Sequence, residues 1–178
     1  EEAKKNKNGI IMDQNQYING LTKENWQTFR GRDRTAVLTD AEQTEYRAII
    51  GSINWCVRNS RPDVAFELTE LSTKMRTATV GDWQRALKCI KKLQASTSQV
   101  FYPGLSSLGD MRLEVFSDAS FANLSDGVSS AMGYAVFATN DNKACSLGWR
   151  SGKVKRVVKS TLATEALALS EGLGEAMY

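Results

Sequence analysis

The chain of 178 residues contains no histidine, which excludes His-dependent catalytic triads and the usual histidine-bearing zinc sites. Cysteine is scarce: Cys56, Cys89 and Cys145 are odd in number, far apart and in no CxxC arrangement. They read as buried, reduced thiols of an intracellular protein and not as a disulfide framework. No apolar run is long enough to span a bilayer. The opening Glu1-Glu2-Ala3-Lys4-Lys5 has none of the apolar character of a secretory signal. Gly-rich phosphate loops and nucleophile elbows are missing as well. A large charge of one sign is also lacking: the net charge of +3 is too small to imply nucleic acid by itself. Any such reading therefore rests on how charge clusters. Hydrophobic content of 42% and charged content of 24% are those of an ordinary globular chain, forming one domain or two small ones. The first residue is not Met, and Ala176-Met177-Tyr178 fall inside an expected helix. Both ends are expected to be cuts through a longer polypeptide.

What is present changes character along the chain. Residues 1–38 are polar and mixed, with Gly9-Ile10-Ile11-Met12 of strand type, Gln16–Leu21 a helical turn closed by Gly20, and a basic loop at Arg30-Gly31-Arg32-Asp33-Arg34. Thr39-Asp40-Ala41-Glu42 is a capping box, a hydroxyl and a carboxylate three residues apart that satisfy orphan amides. Tyr46, Ile49, Ile50, Ile53 and Val57 then recur at helical spacing. Arg61-Pro62-Asp63 opens a second helix with stripe Val64, Leu68, Leu71 and Met75. A third starts near Gly81-Asp82 and buries Trp83, Ala86, Leu87, Ile90 and Leu93. Trp26, Trp55, Trp83 and Trp149 read as core or edge packing.

Residues 98–110 are rich in Ser, Gly, Pro and Asp and mark a boundary. Beyond it, Met111–Ser117, Gly133–Thr139 and Ser146–Ser151 have strand length and polar turns between them, which predicts an antiparallel meander. A helix follows from about Thr161, with Leu162, Ala166, Leu169 and Leu173 as its expected buried stripe. The order is β-β-β-α and the fold class is α+β, a helical segment followed by three antiparallel strands and a helix.

Two carboxylates stand out in this frame. Asp118 ends the first strand, and Glu165 lies in the opening turns of the helix, at the flank of its apolar stripe. A strand end and the start of the helix covering its sheet are places from which two carboxylates converge on Mg²⁺. Each has a plainer reading, Asp118 as a turn former and Glu165 as a first-turn acid favoured by the helix dipole. Between them, Arg150, Lys153, Lys155, Arg156 and Lys159 put five positive charges and no acid into ten residues. These lead to Ser160 and Thr161 at the helix start, where hydroxyls and free amides suit phosphate; the alternative is a solvated strand–helix loop. Arg85, Lys88 and Lys92 on the third helix are either backbone-tracking cations or a solvated face.

Leu113-Glu114-Val115-Phe116-Ser117-Asp118-Ala119-Ser120 resembles the first strand of a ribonuclease H fold. Leu147-Gly148-Trp149-Arg150-Ser151-Gly152-Lys153, followed by Ser160-Thr161-Leu162-Ala163-Thr164-Glu165-Ala166-Leu167-Ala168-Leu169, resembles the third strand and first helix found in copia-type retrotransposons. Tyr46–Trp55 and Ser60–Phe66 are similar to the helical segment that joins reverse transcriptase to ribonuclease H in those polyproteins, and Gln14–Ile18 is similar to the last part of the polymerase domain.

The resemblance implies a reverse transcriptase tail over 1–38, a helical connection over 39–108 and the N-terminal half of a ribonuclease H-like domain over 109–178. It implies Asp118 and Glu165 as catalytic metal ligands for two Mg²⁺ ions ~4 Å apart. It also implies an RNA–DNA hybrid as substrate, held by Ser160, Thr161 and the cations of 150–159. The rest of the Pol polyprotein becomes a partner, no membrane is involved, and the expected location is a cytoplasmic particle or the nucleus. Two departures limit the carry-over. No Tyr-x-Asp-Asp polymerase motif occurs, and the family's third carboxylate, on the strand after the first helix, has no counterpart before Tyr178. Asp126 and Asp141 sit in expected turns with no route to replace it. The expectation is therefore an enzyme segment inactive in isolation; the alternative is a non-catalytic remnant or domesticated module that packs or binds nucleic acid.

Overall fold

The structure, a computed structural model, describes residues 2–6, 8–21, 29, 31–97, 99–105, 109–140 and 142–178. Trp26, Arg30 and Asp141 lie outside them. In chain order the elements are β1 (Glu2–Asn6), β2 (Gly9–Asp13), α1 (Asn15–Asn19), α2 (Asp40–Asn59), α3 (Ala65–Thr73), α4 (Val80–Ala95), β3 (Val100–Pro103), β4 (Arg112–Ser120), β5 (Ala131–Asn140), β6 (Lys143–Lys153) and α5 (Thr161–Ala176). A 3₁₀ turn, Pro62–Val64, precedes α3. The mixed helix and sheet content is that of an α+β protein. The chain divides into two compact units, Asp13–Gln99 and Glu2–Met12 with Val100–Tyr178.

The first unit is helical because its start signals and apolar spacings agree. Thr39 caps α2 in a complete box: Glu42 N–H donates to the Thr39 hydroxyl at 3.4 Å, and Thr39 N–H donates to Glu42 Oε2 at 2.7 Å. Glu42 also accepts from Arg32 at 2.6 Å. The Thr39 amide first, then Arg32, hold its carboxyl below the usual range. That ion pair ties the basic loop to the helix start. A second capping box, Thr79 with Asp82, starts α4 one residue before Gly81. The stripes meet in one core containing Tyr46, Ile49, Ile50, Ile53, Val57, Leu68, Leu71, Trp83, Ile90 and Leu93. Leu87 and Met75 pack on its margin. Trp83 is fully buried, its ring 5.2 Å from Phe29 and 6.5 Å from Tyr46, whereas Trp55 is 48% exposed and outside the core. One isolated bridge, Val37 to Thr79, is added to the helices.

Cys56 and Cys89 are buried in this core, and burial pushes both thiols up to about 11. Cys145 in β6 is half-buried, with its thiol donating to the Pro103 carbonyl at 3.2 Å. Near pH 8 a thiol of pKa about 11 is almost wholly protonated, and both of these are closed to a reagent; burial raises the Cys145 thiol as well, but that side chain is partly exposed. A disulfide reagent at that pH should therefore modify only Cys145 in the native protein and all three thiols in denaturant; mass mapping of the labelled sites checks it.

In the second unit, β2 pairs antiparallel with β3, Gly9 opposite Pro103 through Met12 opposite Val100, in a sheet of order β1-β2-β3. Strands at 2–6 and 100–103 leave no signal in the sequence pattern. Glu2–Asn6 is too polar to show alternation, and Val100–Pro103 is too short to stand out inside a Pro- and Gly-bearing boundary. The expected meander forms the second sheet, order β4-β5-β6. Its strands run longer than periodicity suggested, with Arg112 opposite Thr139 and Ser120 opposite Ala131. The register of β6 shifts at Val136/Phe137. Leu147, the residue skipped there, stands out 58% exposed.

The helix α5 corrects the expected stripe. Thr164, Ala168 and Gly172 are its buried residues, while Leu162, Leu169 and Leu173 are 79%, 46% and 46% exposed and Ala166 is also exposed. Small residues face the sheet because the helix lies too close for larger ones. A Cβ added at Gly172 would sit 2.8 Å from Val115 Cγ1 and 3.1 Å from Tyr134 Cβ.

Candidate functional site

Asp118 does not end its strand. It lies within β4, opposite Gly133, with two more paired residues after it, so its turn-forming reading is gone. Strand alternation assigns its direction. Gly172 of α5 meets Val115 and Tyr134, and Tyr134 is the cross-strand partner of Ser117. The helix therefore covers the face carrying Val115, Ser117 and Ala119. Asp118 projects with Glu114 and Phe116 onto the other face, where it is exposed and where Phe116 and Phe137 meet edge-to-face at 5.8 Å. Trp149, opposite Ala135, shares that face.

Glu165 is half-buried in α5, next to buried Thr164. Ser160 caps the helix, its hydroxyl accepting from Ala163 N–H at 3.2 Å. Ala168 clusters with Met132 and Ala119, whereas Gly172 meets Val115, so α5 runs antiparallel to β4. Its first turns, with Glu165, lie at the Asp118–Ser120 end of the strand. On the helix circumference Glu165 and Glu171 stand about 60° to either side of Ala168. Glu171 pairs with Arg150 of β6 at 3.1 Å. Glu165 is therefore on the opposite flank, toward the outer edge of β4. The two carboxylates come from opposite faces of the sheet, Asp118 from the uncovered face and Glu165 from the helix on the other. Among the described residues nothing pairs with the edge, and neither Asp118 nor Glu165 makes an ion pair.

The cations of 150–159 are less available than the sequence suggested. Arg150 is spent on Glu171, and Lys153 lies 3.4 Å from Asp126. Lys155, Arg156 and Lys159 remain exposed without an ion pair among the described residues, as do Ser160 and Thr161 at the helix start. On the third helix Arg85 pairs with Glu70, and Lys92 with Glu67 at 2.5 Å, so those two belong to a surface ion network. Asp126 is committed to its own turn. It accepts from the Ser129 hydroxyl and amide and the Val128 amide, which hold its carboxyl far below the usual range. A polar cleft of about 560 Å³ lined by Arg112, Glu114, Thr139 and Lys143 lies at the other end of β4, away from Asp118. Among the described residues no group of three or more acids or cysteines is placed to hold a metal, and no helix is long and apolar enough to cross a membrane.

No family model matches the chain, and no solved structure does. It is 26% identical over 137 residues to a retrovirus-related Pol polyprotein from a transposon of Arabidopsis thaliana, which is 77% of this chain and 9% of that polyprotein. The chain thus spans less than a tenth of that relative's length. It is also 29% identical over 133 residues to a secreted RxLR effector protein of Plasmopara viticola, covering 75% of this chain and 89% of that protein. The first likeness supports a distant relation to a retrotransposon Pol segment.

Proposed function

We propose that the chain is a Pol-derived segment, with a polymerase tail over 1–38, a helical connection over 39–108, and the meander and α5 as the first part of a ribonuclease H-type domain. Its partners are the rest of the polyprotein and an RNA–DNA hybrid. The reading rests on Glu165 lying in the first turns of α5, on the flank away from the Glu171–Arg150 pair, at the end of β4 where Asp118 is exposed.

Two accessible carboxylates without ion pairs are hard oxygen donors of the kind Mg²⁺ takes. Mg²⁺ bound there supplies an activated water and charge neutralisation for strand hydrolysis. Asp118 and Glu165 orient it, and Lys155, Arg156, Lys159 and the helix start with Ser160 and Thr161 hold phosphates. Two carboxylates are few for two ions, so a third, from outside the described carboxylates, completes the site. The chain alone is therefore expected to bind an RNA–DNA hybrid weakly and to cut it poorly or not at all. With three unpaired cations, at about −0.9 per phosphate, the log–log salt slope should be no steeper than about −3. Mn²⁺ should broaden the NMR signals of Asp118 and Glu165 together, and Asp118→Asn should abolish both effects. Broadening at one residue alone, or robust cleavage by the chain, would sink the assignment.

A second reading is a non-catalytic module. It is favoured by the extent of the match to the effector protein, nearly all of which aligns with a segment of this kind. Salt-sensitive binding without joint Mn²⁺ broadening is its signature.

A further inference from the structure

The end of the sheet at which β4 stops and α5 starts is built from two loops, 121–130 between β4 and β5 and 154–160 between β6 and α5. Each is braced from within. In the first, Asp126 accepts from the Val128 and Ser129 amides at 3.1 and 2.7 Å, Leu124 N–H donates to the Ser129 carbonyl at 3.0 Å, and the Leu124 side chain is buried. In the second, Val154 is buried and Val158 packs on the cluster of Met132 and Ala168. The two loops are tied together by Val154 N–H, which donates to the Ser130 carbonyl at 2.9 Å, and by Lys153, 3.4 Å from Asp126. Held this way, each keeps an apolar side chain out in water: Val128 is 80% exposed and Val157 95%. A lone exposed valine is ordinary. Here two stand on adjoining, braced loops beside Lys155, Arg156 and Lys159, which are exposed and without an ion pair among the described residues. Both loops lie between described elements, and the 16 residues of α5 carry the chain about 24 Å away from them.

From these features we infer that Val128 and Val157 read the groove of the nucleic acid whose phosphates the three cations hold, and so select an RNA–DNA hybrid over duplex DNA. The inference rests on the nucleic-acid reading of this end and is independent of the metal ligands. Phosphate contacts position a duplex without identifying it, so the cations alone would hold either kind. The three strand ends from which the loops rise span about 10 Å. The minor groove of B-form DNA is only about 6 Å wide and excludes them. That of an A-like helix is wide and shallow and displays sugars and base edges. Val128 and Val157 rest against those sugars while Lys155, Arg156 and Lys159 reach the phosphates at the rim. Bracing matters, because a loop ordered only on binding would give the gain back as lost entropy. Apolar side chains among Lys and Arg also suit an anionic lipid surface, but insertion there takes a broad apolar face, and two valines supply little area.

Fluorescence anisotropy with a labelled hybrid and with duplex DNA of the same sequence, in chelator so that no metal contributes, tests the inference. The full chain should prefer the hybrid. Val128→Ser combined with Val157→Ser changes no charge. It should weaken hybrid binding about tenfold, leaving duplex DNA binding and the salt slope on hybrid as they were. Lys155→Gln combined with Arg156→Gln should weaken binding to both duplexes and flatten the slope by about 1.8, at about 0.9 per charge removed. All four side chains are exposed, and far-UV circular dichroism checks that the variants are folded. Equal wild-type affinity for the two duplexes, or a serine variant that binds hybrid as tightly as wild type, overturns the inference. In either case joint Mn²⁺ broadening at Asp118 and Glu165 would leave the metal reading standing. No hybrid binding at all overturns both the inference and the nucleic-acid reading. A serine variant that loses affinity for phosphatidylserine vesicles while keeping its affinity for hybrid makes this end a lipid-facing surface, and the inference falls.

Discussion

Replacing Arg61 by alanine is expected to destabilise the helical unit by about 3–5 kcal/mol. The side chain is completely buried at the turn between α2 and α3. Its guanidinium forks onto Asp63, with Nε and Nη2 donating at 2.8 and 2.9 Å. The remaining donors reach the end of α4: the Leu93 carbonyl at 2.7 Å, the Ser96 carbonyl at 3.0 Å and the Ser96 hydroxyl at 2.9 Å. One residue thus satisfies carbonyls that a helix terminus would otherwise leave orphaned. Alanine strands these acceptors and leaves a void the size of the side chain. Lysine keeps the charge and loses the fork, so it should recover only a minor part of the loss. Urea unfolding followed by tryptophan emission, to which buried Trp83 contributes, measures it. A loss below about 1 kcal/mol would show that water replaces the guanidinium at little cost.

Nothing in the residue pattern announced that hub. Arg61 sits before Pro62-Asp63, where proline at a helix start is the visible signal, and its partners at Leu93 and Ser96 are more than thirty residues away. The helices themselves were legible because Thr39, Glu42 and the isoleucine spacing are local facts that agree with the packing. Thr79-x-x-Asp82 was equally readable, and its omission displaced the start of α4 by only a residue. The meander was legible from alternation, whereas β1 and β3 were not. Their reason for forming is a partner strand and not a pattern of their own.

The helix face that carries Glu165 differs from the one periodicity predicts. Periodicity sets Glu165 at the flank of the leucine stripe, whereas the helix rests on Thr164, Ala168 and Gly172, with the leucines outward. Periodicity finds an apolar face, but it cannot say whether that face or a row of small residues meets the sheet. Glu165 adjoins both stripes, so its position survives the exchange. The five cations at 150–159 meet the same limit. Counting charge along the chain misses Glu171 and Asp126, which folding brings to Arg150 and Lys153.

Gly172 is the residue on which the placement of α5 depends, and Gly172→Leu is expected to destabilise the second unit by about 3 kcal/mol. A Cβ there meets Val115 Cγ1 at 2.8 Å, a contact that a rotamer change could relieve. It also meets Tyr134 Cβ at 3.1 Å, which is anchored to the backbone of the central strand and cannot turn away. The only relief is for the helix to lift from the sheet, uncovering Ala168 and straining the Tyr134 hydroxyl bond to Glu175, now 3.2 Å. Gly174, two residues on, has open space where its Cβ would be. Gly174→Ala should therefore gain up to about 1 kcal/mol from helix propensity. The opposite signs separate a steric effect from any general intolerance of the helix to substitution. Denaturation curves of the two variants, read by far-UV circular dichroism, decide it. A neutral Gly172→Leu would mean that α5 rests more loosely than the 2.8 Å approach requires. Lifting the helix also moves Glu165 away from β4, so joint Mn²⁺ broadening at Asp118 and Glu165 should fail in Gly172→Leu while persisting in Gly174→Ala. On the proposed reading, two carboxylates on opposite faces would share an ion only while the helix is held down against the strand.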